Sequence, residues 1–385
     1  MTDIFKNRGK NGQMTMTFNW IYVLIAGGII LLFFVGLVVK QKASSEQKLS
    51  YDITRILESI ITAATVSEQT KNFIDTSGLV DYTINFDCEI DGGSFKNIFS
   101  GYGLDTTSAT VETPIEAIFA PKKVSAPEIV VWSLPYELPF KVIDLLMLTS
   151  SNTKYYVLAD PSSTDSFLTE LQNITDDLNF EFVESFDEME VGSNYHIRIV
   201  DFDYLPVFDT ITDGGPIPPL LEELSEDQVS AVSFMADGTV NYYYREENDF
   251  QIENVWGAIH IFSLDPEERD AAKYGTIFAG GADEYMCNMM KAFKRLEIVS
   301  DVYLDKFEQL KEYYTENGVH DLANQDCRIF LEGDNSVENL HAEAKTCVSD
   351  VAGYLSAGCT NIEGAAILVK ELNENLYNNN CVTLY

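Results

Sequence analysis

The sequence is poor in basic residues and in histidine. Its 385 residues include 25 Lys and Arg against 61 Asp and Glu, which gives a formal net charge of −36, and only four are His. Electrostatic binding to nucleic acid needs clustered Lys and Arg, so this composition excludes a general nucleic-acid-binding surface. Hydrophobic residues make up 46% and aromatic residues 12% of the chain. That content supports a folded core and excludes a wholly disordered protein.

Several signatures of catalysis and cofactor binding are also missing. The chain contains no GxxxxGK[ST] phosphate loop, no GxGxxG, no HExxH and no GxSxG. It contains no CxxC pair, which excludes zinc-ribbon and thioredoxin motifs at the level of the sequence. The sequence therefore predicts no cofactor and favours a non-enzymatic role in structure, adhesion or partner binding.

One long apolar run stands near the start of the chain. Phe18–Val39 has no charged residue, and Asn19 is its one strongly polar residue. At about 1.5 Å per residue the run is about 33 Å long, enough to cross a hydrocarbon core of ~30 Å. Lys40-Gln41-Lys42 follows it, and it is longer than the ~7–15 apolar residues of a secretory signal. We therefore expect a retained transmembrane helix over 18–39 after a cytoplasmic segment 1–17, with the lipid bilayer as a partner.

The flanking charges do not decide the orientation of this helix, because basic residues stand on both sides of it. Other features divide the chain more clearly. Residues 1–42 contain five basic residues and one acidic residue, whereas residues 43–385 contain 20 basic and 60 acidic residues and all six cysteines. We expect a single-pass protein of the cell membrane, with a large extracytoplasmic C-terminal domain that attracts cations or basic partners.

The N-terminus resembles a known class of signal. Residues 6–17 (KNRGKNGQMTMT) followed by the apolar run are similar to the archaeal class III, type IV pilin-like signal peptide. The resemblance implies cleavage between Gly12 and Gln13 with retention of the helix. It also implies that the protein assembles with itself or binds other surface proteins. Thr17 stands where many pilins have Glu, which weakens the case for a filament. An uncleaved signal anchor is the alternative.

Three further segments resemble membrane-anchored surface proteins of small-genome archaea. These segments are Trp132–Phe140, Tyr285–Asn288 and Asn380–Tyr385. That family has no assigned activity, so the resemblance implies location and architecture but no mechanism.

The expected fold class is α/β, divided into segments with different patterns. Apolar residues at helical spacing from Leu49 to Ala64 predict an amphipathic stalk helix within 40–76, and one helix from about 18 to about 74. A small β unit is expected over 77–125, with strands 82–90 and 94–102 and a loop over 106–113. An α/β domain with a mixed sheet is expected over 126–275, and a C-terminal helical bundle over 276–385.

The α/β domain is expected to alternate strands and helices. Asp165 is the expected N-cap of the second helix, and Asp237-Gly238 the expected hairpin turn. The predicted strands are 128–134, 154–158, 180–184, 195–201, 231–236, 239–245 and 257–262, the predicted helices are 140–148 and 166–178, and 205–219 is an irregular loop.

The even number of cysteines predicts disulfides. In an up–down–up bundle, Cys327 would lie near Cys381 and Cys287 near Cys359. Cys327–Cys381 is the favoured pair among fifteen alternatives. Buried free thiols are the other interpretation.

One pair of carboxylates could carry chemistry. Asp201 and Asp203 follow an apolar strand, and ligands bind at the carboxyl ends of strands in open α/β sheets. Two carboxylates there could hold Ca²⁺ or another divalent cation. They define the alternative function, a membrane-tethered enzyme with a metal-dependent α/β domain. Acidic residues are so common in this chain that a solvated loop is the favoured explanation of the pair.

Overall fold

The computed structural model describes residues 22–41, 70–77, 83–91, 94–102, 109–113, 116–160, 163, 165–190, 192, 195–202, 216–253, 259–264, 270–317, 322–349 and 357–385. These residues form an apolar N-terminal helix, three β-sheets and a set of C-terminal helices. The α/β fold class is therefore confirmed at this level.

Helix α1 comprises Tyr22–Gln41, and its large apolar side chains are all exposed. Its mean hydropathy is 2.8. Among the described residues it is the one helix long and apolar enough to cross a membrane. An apolar helix this close to the N-terminus is compatible with a retained anchor and also with a signal sequence.

Sheet I is antiparallel, with the strand order β4-β3-β2-β6. In β2, Ile84 and Phe86 are buried while Asp87 is exposed, the alternation expected of a strand with one face on a core. The predicted loop 106–113 is wrong over its second half, since β4 forms there and its two Thr and one Val have high β propensity. The strands are β2 (Thr83–Asp91), β3 (Ser94–Tyr102), β4 (Ala109–Thr113) and β6 (Lys123–Val124).

Sheet II has the order β1-β7-β8-β5, in which only β5 and β8 are parallel. Two predictions are wrong here. The expected helix 140–148 is strand β8, and the end of the expected stalk helix is strand β1; the rest of that stalk, 42–69, lies outside the described residues. The strands are β1 (Lys71–Asp75), β5 (Ala117–Phe119), β7 (Glu128–Glu137) and β8 (Lys141–Ser150).

Sheet III is the mixed sheet predicted for the α/β domain. Its order is β10-β9-β11-β12-β13-β14, and β15 also pairs with β13. The first four strands in this order are parallel, and β13 reverses the direction. Gly238 has φ +81° in the β12–β13 turn, so the Asp237-Gly238 hairpin is confirmed. The strands are β9 (Thr153–Leu158), β10 (Phe180–Val183), β11 (His196–Asp201), β12 (Val229–Phe234), β13 (Thr239–Glu246), β14 (Asp249–Ile252) and β15 (Ile259–His260).

The described residues form seven further α-helices. Helix α2 crosses between the parallel strands β9 and β10, and Asp165 Oδ1 accepts a hydrogen bond from Phe167 N at 2.8 Å, as expected of an N-cap. The three apolar faces predicted near the C-terminus lie on α4, α6 and α8, but α4 also packs on sheets I and II. The helices are α2 (Ser166–Ile174), α3 (Ala271–Phe278), α4 (Ala282–Asn317), α5 (Leu322–Leu331), α6 (Ser336–Cys347), α7 (Ala357–Thr360) and α8 (Ile362–Asn378).

A polar stripe on α4 closes the free edge of sheet II. Glu284 Oε1 accepts from Ala120 N at 3.0 Å, and Asn288 Oδ1 accepts from Ile118 N at 3.0 Å. Lys291 Nζ donates to the backbone oxygen of Glu116 at 3.0 Å. The three side chains stand at i, i+4 and i+7, hence on one face of the helix. They satisfy backbone groups along β5 that no neighbouring strand pairs.

Three disulfides join distant elements. Cys88–Cys287 ties β2 to α4, Cys327–Cys381 ties α5 to the segment after α8, and Cys347–Cys359 ties α6 to α7. The structure thus contains the pair favoured from the sequence, Cys327 with Cys381. The expected proximity of Cys287 to Cys359 is wrong, because α4 packs on sheet I as well as on the other helices and brings Cys287 to β2.

Candidate functional site: a pocket at the carboxyl edge of sheet III

A pocket of about 470 Å³ opens where the parallel strands of sheet III end. Strands β9, β11 and β12 finish side by side, with Asp201 in register with both Leu158 and Ser233. The residues that follow these strands form one wall, and the first residues of α2 and α3 form the other. Ligands bind at this edge in open α/β sheets, which makes the pocket the first candidate for a site.

Two phenylalanines form its apolar wall. The rings of Phe202 and Phe234 are stacked with their centroids 4.6 Å apart and 2° between their planes. Each follows or ends a parallel strand, so the sheet fixes their positions. The stacked pair offers a flat apolar surface to a ligand.

A buried carboxylate faces the pocket from the start of α3. Asp270 Oδ1 caps the helix by accepting from Lys273 N at 3.1 Å. Its Oδ2 makes no close hydrogen bond within the described residues; Lys273 Nζ lies 3.7 Å away, and the Ser263 side chain also interacts with this carboxylate. Burial raises the pKa of Asp270, while the Lys273 charge opposes that rise. The pocket therefore presents an acceptor with capacity for one more donor, such as a hydroxyl or an amine.

Charge in the pocket is mainly acidic. Asp160, Asp165 and Asp270 line it together with one cation, Lys273. Asp165 is already engaged as the cap of α2. The arrangement favours neutral or cationic ligands over anions.

The structure places Asp201 differently from the sequence expectation. Its side chain is fully buried, and Oδ2 accepts a hydrogen bond from Ser233 Oγ at 2.7 Å. Side chains alternate along a strand, so Asp201 lies on the face of Ile199, opposite Val200. It is not among the residues that line the pocket. Asp203 lies outside the described residues.

Metal binding gains no support from the described part of the chain. Within it, no group of three or more His, Cys, Asp or Glu side chains gathers in a way that could hold a metal ion. The Asp201–Asp203 cation site stays a prediction that rests on one buried, hydrogen-bonded carboxylate. Gly12 and Gln13, the predicted processing site, also lie outside the described residues.

Asp270 and Lys273 were not predicted as site residues. A signal for them existed in the sequence, because Asp270 precedes the apolar segment 271–278, as an N-cap does. The contribution of Lys273 has no local signal, since it depends on how α3 meets the sheet.

Comparisons with known proteins identify no relative. No family model matches the chain, no curated protein matches it significantly, and no solved structure matches the fold.

Proposed function

We propose that this protein is a single-pass membrane-anchored surface protein, whose acidic extracytoplasmic domain has a non-enzymatic structural, adhesion or partner-binding role. The observation that carries the proposal is the state of the cysteines. All six are paired, in three disulfides. Disulfides form and persist in oxidising compartments outside the cytoplasm.

The apolar helix supports the anchor. Helix α1 has 20 residues and is about 30 Å long at ~1.5 Å per residue, which matches a hydrocarbon core. Every large apolar side chain on it is exposed. Such a surface is costly in water and favourable in lipid.

The charge of the chain supports the orientation. Twenty basic and 60 acidic residues follow position 42. A domain with this charge stays soluble by self-repulsion and meets cations or basic partners at its surface. Binding is favoured over catalysis because Asp165 and Asp270 at the carboxyl-edge pocket each cap a helix, and Lys273 lies beside Asp270.

Thiol labelling and protease access test the proposal together. The full chain, with one tag at each end, is expressed in a host that sorts membrane proteins. We expect alkylation to add nothing before reduction and six adducts after it, since the chain has six cysteines. Protease added to intact cells should remove the C-terminal tag. The double variant Cys347→Ser/Cys359→Ser is the matched control, because it should lose two adducts and no others.

Two results would contradict the proposal. Adducts formed without reduction would mean free thiols, and a C-terminal tag protected in intact cells would place the domain inside. N-terminal sequencing of the mature protein then separates the two anchor types. A terminus at Gln13 supports the pilin-like form, and an intact Met1 supports the uncleaved anchor.

A further inference from the structure

A second cavity lies at the opposite edge of sheet III, where the parallel strands begin. It has a volume of about 260 Å³ and lies between the first residues of β9, β11 and β12, the end of α3 and the β5–β6 connection. Residues of the described globular part alone build this cavity, so a ligand there would not depend on the membrane anchor. Its inner wall includes Thr153, Tyr155, Arg198, Ser230 and Phe278.

Arg198 is the unusual feature of this cavity. Arg198 is only 5% exposed to solvent. One nitrogen, Nη2, donates to the backbone oxygen of Ala279 at 2.8 Å, and the guanidinium lies over the ring of Tyr242 at 5.4 Å. Nε has no hydrogen-bond acceptor, and no described carboxylate forms an ion pair with it. A buried guanidinium with an unused donor is rare, because the desolvated group costs free energy.

Arg245 shows how the same fold treats a structural arginine. It is 8% exposed, and all three of its nitrogens donate to backbone oxygens. Its acceptors are Leu221, Leu224, Glu222 and Glu247, at 2.6–3.1 Å. Arg198 has one such bond and lines a cavity. The remaining donor capacity of Arg198 is therefore unused beside the cavity.

The other cations near the cavity are already paired. Lys122 Nζ lies 2.7 Å from Glu253 Oε1, and Lys123 Nζ lies 3.3 Å from Asp227 Oδ2. Glu284 lies near Arg198, but its oxygens accept from Ala120 N and Gly280 N. Burial also raises the pKa of Glu284 to about 8, which reduces its charge at neutral pH. Arg198 therefore forms no ion pair with a described carboxylate, although Glu253 and Glu284 both interact with it electrostatically.

We propose that this cavity binds a small organic carboxylate through the guanidinium of Arg198. The planar fork of an arginine matches the two oxygens of a carboxylate. Tyr155 and Phe278, whose ring centroids are 5.3 Å apart, supply an aromatic wall for the carbon skeleton. The volume is near the lower end of ligand pockets, roughly 300–1,000 Å³, so a ligand with a single ring or a short chain fits.

The test uses the full chain in detergent and three probes. Benzoate is the carboxylate, benzamide is its neutral isostere, and inorganic phosphate reports anion binding without an apolar group. Calorimetry or ligand-observed NMR measures binding. We expect benzoate to bind with a dissociation constant below about 10 mM, and benzamide to bind at least ~10-fold more weakly, because it lacks the charge.

Two variants localise the site. Arg198→Met keeps the length of the side chain and should abolish benzoate binding. Ser230→Leu fills the cavity from β12 and leaves Arg198 in place, so it should also abolish benzoate binding. It provides an independent test in case Arg198→Met does not fold. Lys123→Gln is the control, because it removes a cation at the rim that is already paired. It should change the benzoate affinity by less than about twofold.

Several results would overturn the proposal. These are no benzoate binding to the wild-type chain, equal affinity for benzoate and benzamide, or wild-type affinity in a folded Arg198→Met or Ser230→Leu variant. Phosphate binding in the absence of benzoate binding would overturn the assignment to a carboxylate.

Discussion

The two ends of sheet III present opposite chemistry. At the carboxyl edge, the pocket has three aspartates and one lysine, and its buried Asp270 retains an acceptor without a donor. At the amino edge, the cavity has a buried arginine with a donor that lacks an acceptor. Elsewhere in the described globular part, every guanidinium nitrogen of Arg245 donates to a backbone oxygen. Both carboxylate oxygens of Glu284 accept from backbone N–H groups. Burial alone therefore does not mark a site. The useful sign is a buried polar group whose hydrogen-bonding capacity is unfilled beside a cavity.

The largest expected effect concerns Glu284, which is buried but fully hydrogen bonded. Burial raises its pKa to about 8. The folded state therefore holds the proton after the unfolded chain has released it. This contribution to stability is fully present below about pH 4.5 and is lost as the pH rises through about 8. At ~1.4 kcal/mol per pH unit, the upper limit for the loss is about 5 kcal/mol.

Glu284→Gln should remove this part of the pH dependence. Urea unfolding of both proteins at several pH values between about 4.5 and 8 measures it. The free energy of unfolding of the wild type should fall more steeply with pH than that of the variant. Equal slopes would mean that the two N–H donors keep the carboxylate charged, and would place Glu284 with Arg245 as a permanently ionised structural group.

The next effect tests the satisfied arginine. Arg245→Met leaves four backbone oxygens without their donors in a buried corner. We expect the free energy of unfolding to fall by about 3 kcal/mol or more. Denaturant unfolding at a single pH measures it. A loss below about 1 kcal/mol would show that water replaces the arginine, and the contrast with Arg198 would lose its basis.

The smallest effect tests the unsatisfied arginine. Arg198→Met loses one hydrogen bond and one ring contact, and it also removes the cost of a desolvated charge. We expect a change within about 1 kcal/mol when no anion is added. The same unfolding assay measures it beside Arg245→Met. A loss as large as that of Arg245→Met would make Arg198 a structural residue.

Where the sequence prediction was correct, the signal was local. The Asp237-Gly238 turn lies between two alternating strands, and Asp165 precedes a helix that it caps. Each depends on neighbours within a few residues. The apolar length of α1 is likewise a local property.

Where it was wrong, burial had hidden the local signal. In β8, residues 145–150 are buried on both faces, so the alternation that marks a strand is absent and the apolar run suits a helix as well. The sequence prediction also missed the polar stripe on α4, which consists of Glu284, Asn288 and Lys291, because its polar residues suggested an exposed face. Polar residues at helical spacing usually face water, whereas these face the edge of β5.

The sequence by itself determined the acidic composition, the apolar helix, the hairpin and the existence of an α/β domain, because these depend on composition and on contacts a few residues apart. The tertiary structure alone decided the partner of Cys287, which lies 199 residues away at Cys88. It also decided the surroundings of Arg198, whose one acceptor lies 81 residues along the chain. Such partners are chosen by how sheets and helices pack, and packing distributes each contact over many residues that no local pattern contains.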